Sequence, residues 1–143
     1  MYSTAKHGYS LSTLYANCEK YENVSKGIVF VLKTTTGDIF GGFCGQVFKI
    51  TQVYYLGSEE CFVFSLQPKR ELYKSANLNS FFLCCDTDYF SFGGGGEGEA
   101  IRINEDLATG VTYCSETFKN KPLTAESKDN QFKCAEFEAY TLK

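Results

Sequence analysis

Tryptophan is missing from this 143-residue chain, proline occurs twice and histidine once. The scarcity of proline, with no biased segment beyond one glycine run, argues against a disordered protein. With a single histidine, His7, any Ser–His or Cys–His pair must use that residue, and no G-x-S-x-G sequence accompanies it. Long apolar runs are also lacking. The longest, residues 28–32 and 81–85, fall far short of the roughly 20 residues a bilayer span needs, so no membrane insertion is expected. No run of Lys or Arg is interleaved with aromatics, and the net charge is −3 with a pI near 5.2. The cluster that would hold nucleic acid is therefore absent, and nucleic acid is not an expected partner.

Cysteine is plentiful but lacks a pattern. The seven residues (Cys18, Cys44, Cys61, Cys84, Cys85, Cys114 and Cys134) are odd in number, contain no C-x-x-C pair and follow no apolar leader. A disulfide scaffold is excluded, and a zinc site would have to be gathered from scattered thiols and His7. No metal or cofactor is expected. Buried thiols in a reducing compartment fit this usage, which places the chain in the cytoplasm. Cys84 and Cys85, as strand neighbours, are expected on opposite faces.

Thirteen Phe and ten Tyr bring aromatics to 16%, a supply that favours packed, pleated sheets. The length suits one domain. Leu11, Leu14, Tyr15 and Cys18 fall at i, i+3, i+4 and i+7 behind Ser10, which predicts a helix with Ser10 as its N-cap. "GIVFVLKTTTGDIFGGF" predicts a hairpin turning at Gly37 and Asp38. In "ECFVFSL", Phe62, Phe64 and Leu66 alternate with Cys61, Val63 and Ser65 until Pro68 ends the strand. "SFFLCC", "DYFSF", "EAIRIN", "VTYC" and "FKCAEFEAYTL" continue the short-strand rhythm. Few helices and no βαβ alternation predict an α+β, mainly β fold: a sandwich of two antiparallel sheets flanked by short helices.

"GGGGEGEAIRIN" poses a question of its own, because Gly93, Gly95 and Gly98 match the G-x-G-x-x-G spacing of a dinucleotide loop. That motif needs a helix to leave the glycines and present its N-terminal amides to phosphate. Residues 99–104 instead alternate with period two, Ile101 and Ile103 on one side and Arg102 on the other, and Glu97 and Glu99 would repel an anion. The run is read as a strand connection.

Six segments taken in order, "YSTAKHGYSLSTLY", "DIFGGF", "YYLGSEECFVFSL", "FGGGGEGEAIRINEDLATG", "CSETFKNKPL" and "FEAYTL", resemble the TLDc domain of the oxidation-resistance protein family. The resemblance covers nearly the whole chain. It implies a two-sheet sandwich with short helices, and it casts the glycine run as a strand connection. The residues that match the family pattern, in structural or binding roles, are His7, Gly8, Gly57, Glu60, Asn79, Gly93, Gly94, Gly95, Gly96, Asp106 and Glu138. Where the family carries Trp, this chain has Ser75, Arg102 and Tyr140. The family has a short strand and helix ahead of "YST", so residues 1–143 are read as a single domain without those first elements.

By the same resemblance the function is resistance to oxidative stress through protein interaction. The implied partner is the peripheral sector of the vacuolar-type proton ATPase, which several members bind and modulate. No catalytic residue is assigned. His7 is expected to tie down the segment before the helix by a local hydrogen bond. Glu60 is expected to fix a neighbouring loop or stand in solvent. Glu138 is placed on one strand face with Cys134, Glu136 and Tyr140. The alternative function is a thiol-based peroxide scavenger or sensor, for which Cys134, beside Lys133, is the candidate thiol. A hydrolase using His7 with Glu60 and Glu138 requires those three to share a cleft.

Overall fold

A computed structural model describes residues 1–50, 55–124 and 130–142. In chain order the elements are β1 (Tyr2–Ser3), α1 (Thr4–His7), α2 (Leu11–Glu19), β2 (Gly27–Thr34), β3 (Ile39–Cys44), β4 (Phe62–Gln67), β5 (Glu71–Lys74), β6 (Leu83–Cys85), β7 (Tyr89–Phe92), β8 (Ile101–Asn104), β9 (Thr109–Val111) and β10 (Gln131–Leu142). All strand pairs are antiparallel and run in the order β5-β4-β3-β2-β10-β9-β8-β7-β6, with β1 beside β10. The expected two sheets are thus one, folded over at the 12-residue β10, which pairs β9 through residues 131–133 and β2 through the rest. The mainly-β α+β fold with short helices is as the sequence indicates.

Phenylalanine holds the two halves together. Phe30 on β2 packs edge-on against Phe90 of β7 (centroids 5.4 Å, 87°) and tilts against Phe92 (5.2 Å). On its own half it stacks on Phe137 at 5.5 Å, and Phe48 closes the cluster. All five rings are fully buried. Glycine makes room for them: a Cβ on Gly42 would lie 3.1 Å from both Phe30 and Phe92. Helix α2 lays Leu11, Leu14, Tyr15 and Cys18 on this core, as its spacing requires. Its N-cap is Ser10, whose hydroxyl accepts the Thr13 N–H at 3.3 Å. The hairpin between β2 and β3 turns where expected, with Gly37 at φ +94° and the Asp38 carboxylate accepting from the Thr34 and Thr36 hydroxyls.

Two strand readings change. "VTYC" contributes only its first residue to β9, because the chain then leaves the ladder: the Tyr113 N–H donates to the Glu99 carbonyl, the Cys114 carbonyl accepts the Glu97 N–H and the Glu116 N–H donates to the Gly94 carbonyl. In β10 the register shifts between Cys134 and Glu136, so one extra residue reverses the alternation. Cys134 therefore faces the core, while Glu136, Glu138 and Tyr140 face out. The shared face assigned to Cys134 and Glu138 is corrected by that bulge. Cys84 is buried and Cys85 only partly so, on opposite faces as expected. Part of the "KNKPLTAESKDN" loop, residues 125–129, lies outside the described residues.

Candidate docking surface and the glycine run

Most of the sequence-derived site residues hold the scaffold in place. Gly93 donates to the Phe82 carbonyl, Gly94 to the Thr117 hydroxyl (3.0 Å), Glu97 to the Cys114 carbonyl and Gly98 to the Gly95 carbonyl. Four of the run's amides are thus bonded within the fold, and β8 follows as an extended strand between β7 and β9 where a phosphate loop would need a helix. Gly93, Gly95 and Gly96 sit at φ between +64° and +80°, where a side chain is strained. Thr117 joins this knot to Asn79: its hydroxyl donates to Asn79 Oδ1 at 2.7 Å, and that oxygen also accepts the Phe81 N–H. Thr117 is fully buried. The isosteric Thr117→Val strands the Gly94 amide and should cost about 1–3 kcal/mol in urea unfolding.

Asp106 caps the β8–β9 turn by accepting the Ala108 and Thr109 amides at 2.9 and 3.3 Å. His7 does what its position suggests: Nδ1 accepts the Ser3 N–H at 3.0 Å, the ring stacks on Tyr2, and Gly8 follows as the helix cap at φ +79°. Glu138 lines the same shallow cleft as His7 and accepts the Tyr140 hydroxyl, which raises the tyrosine pKa. Glu60 is elsewhere, its carboxylate pressed against Gly45, where any Cβ would overlap it. The three acid–base candidates do not converge. Cys134 donates to the Glu136 carbonyl at 3.2 Å, and burial pushes its pKa up to about 12, so the thiolate that peroxide chemistry needs is suppressed. Among the described residues no group of three or more His, Cys, Asp or Glu is arranged to hold a metal ion, and no helix is long and apolar enough to cross a membrane.

The feature that sequence reading missed lies on the outer face of β3, β4 and β5. Of the two alternating sets in β4, Val63 and Ser65 point inward with Cys61, while Phe62, Phe64 and Leu66 point out. Phe62 stacks on Phe43 (5.2 Å), and the Phe64 ring lies over Gly41, where a Cβ would meet it at 3.1 Å. Leu72, opposite Phe64 on β5, is 55% exposed and Leu66 is 44% exposed. Together with Arg70 and Glu71 these residues line an open apolar groove at the sheet's edge. Its polar rim and apolar centre are the composition of a protein-binding patch. The signal was present in the sequence, since both alternating sets are largely apolar and only the inward one carries a serine.

The class defined by this architecture is a mainly-β scaffold, one antiparallel sheet folded on a phenylalanine core and locked by a glycine knot. The TLDc domain profile matches residues 1–143, and the chain belongs to the TLDc domain family. It is 35% identical over its full length to oxidation resistance protein 1 of Bos taurus, spanning 16% of that protein. It is 32% identical over 99% of its length to mouse nuclear receptor coactivator 7, spanning 14% of it. Over 86% of its length it is 31% identical to the Drosophila melanogaster GTPase-activating protein skywalker, 23% of that protein. The chain thus spans a quarter or less of these relatives. The positions where the family carries Trp explain how this chain manages without it. Ser75 is half-buried, Tyr140 is exposed, and Arg102 sets its guanidinium 4.0 Å above the Tyr89 ring, so none of the three fills the core.

Proposed function

We propose that this chain is a non-catalytic docking domain serving oxidative-stress resistance, and that it binds the peripheral sector of the vacuolar-type proton ATPase in the cytoplasm. The observation that carries the reading is the open apolar face formed by Phe62, Phe64, Leu66 and Leu72. Contiguous exposed apolar surface rimmed by polar groups is characteristic of protein-binding sites. Membership of the TLDc family and the oxidation-resistance names of its relatives support the stress-related setting. The positions of His7, occupied with holding the segment before the helix, and of Glu60, far from it against Gly45, favour docking over acid–base catalysis.

Tagged chain incubated with lysate of its own cells at low salt should retain proton-ATPase peripheral subunits, identified by mass spectrometry. Recovery of other proteins without those subunits would refute the partner assignment.

A further inference from the structure

Cys44 and Cys61 face each other at the mouth of the β3–β4 pair. The ladder pairs Phe43 with Phe62, which sets these two cysteines directly opposite one step further on. Directly opposed antiparallel residues have Cα atoms about 4.5–5.5 Å apart, within the range a disulfide spans. Their sulfurs flank one point: a Cβ on Gly57 would lie 2.7 Å from Cys61 Sγ and 3.1 Å from Cys44 Sγ. The two thiols interact with each other, and the Cys61 sulfur also faces the backbone N–H groups of Ser58 and Gly45. These interactions draw the Cys61 pKa below the ordinary thiol value against the opposing effects of burial and Glu60, while Cys44 is pushed up and keeps its proton. Cys61 is the better placed nucleophile of the two, because backbone N–H groups face its sulfur. Both sulfurs are buried, and beside them lies Gly57, which has no side chain and sits at φ +90°, followed by the exposed turn of Ser58, Glu59 and Glu60.

We propose that Cys44 and Cys61 are a reversible dithiol–disulfide pair, oxidised by a hydroperoxide when the turn at residues 57–60 opens. The Cys61 thiolate attacks the outer peroxide oxygen, the O–O bond breaks, and the departing alkoxide or hydroxide takes a proton from water. Cys61 is left as a sulfenic acid. The Cys44 sulfur then attacks the Cys61 sulfur, the S–O bond breaks, and the sulfenic hydroxyl leaves as water with the Cys44 proton. Two thiols are oxidised and one peroxide is reduced to an alcohol or water. An external dithiol reverses the change through a mixed disulfide. This chemistry is independent of partner docking, because the groove on the outer face does not include either sulfur.

The folded chain, treated with graded hydrogen peroxide, alkylated and mapped by mass spectrometry, tests the assignment. A Cys44–Cys61 crosslink should form first, with two of the seven thiols lost and Cys134 oxidised at least about tenfold more slowly. In Cys44→Ala a sulfenic acid should be trapped at Cys61 by a dimedone-type reagent, and dithiothreitol should restore both thiols in the unaltered chain. Oxidation at Cys114 or Cys85 while Cys44 and Cys61 remain free thiols would overturn the proposal. So would a crosslink that appears only after unfolding. The unaltered chain decides the matter even if Cys44→Ala folds poorly.

Discussion

Phe30→Ala should lower unfolding free energy by about 3–5 kcal/mol, the largest loss expected from any single side chain here. Phe30 touches both halves of the folded sheet, meeting Phe90 and Phe92 across the core and Phe137 and Phe48 beside it. Its removal deletes buried apolar surface and leaves a cavity that four rigid rings cannot readily close, since each is fixed by its own strand or by neighbouring rings. In urea the midpoint should fall with little change in slope, and the melting temperature should drop by about 10 °C. Phe81→Ala gives the contrast. That ring is 37% exposed and, among the described residues, stacks on Tyr55 alone, so its loss should cost about 1 kcal/mol. If the two substitutions proved equally costly, the phenylalanine cluster would not be what joins the halves.

The second large effect concerns binding. Leu66→Glu with Leu72→Glu should leave the melting temperature within a few degrees of the unaltered chain, because both side chains are exposed on the outer face of the sheet. Affinity for the purified peripheral sector should fall about a hundredfold or more, equivalent to about 3 kcal/mol. The reason is that burying two carboxylates without partners in an apolar contact is costly. Calorimetry of both proteins against the same preparation reads the difference. A change in heat capacity on binding that shrinks in the variant would tie the loss to apolar burial.

How far the sequence announces this structure depends on whether a feature is local. Helix α2, the turn at Gly37 and the extended course of residues 101–104 follow from spacing and turn chemistry within a few residues, and each is found in place. The His7 contact is local too, its Nδ1 accepting the Ser3 N–H four residues back. What period-two patterning cannot reveal is which of two apolar faces turns inward. In β4 that choice is set by Gly41 and Gly42 on the neighbouring strand, which admit Phe64 outside and Phe30 with Phe92 inside. A one-residue bulge hides equally well, and the one in β10 moves Cys134 into the core while Glu138 stays in solvent. The Cys44–Cys61 contact depends on strand register across 16 intervening positions, so neither cysteine stands out in the sequence. The short β5 ladder was overlooked for a related reason: four residues of mixed polarity carry too little periodicity to declare a strand.

Hydrogen exchange of the chain alone and in complex with the proton-ATPase peripheral sector tests the docking account most directly. Added protection should concentrate in residues 62–67 and 71–74, with the amides of Gly93, Gly94, Glu97 and Gly98 unchanged because they are already bonded within the fold. Protection that appeared at the glycine run or in the His7–Glu138 cleft, with the outer face of β4 and β5 still exchanging freely, would contradict it.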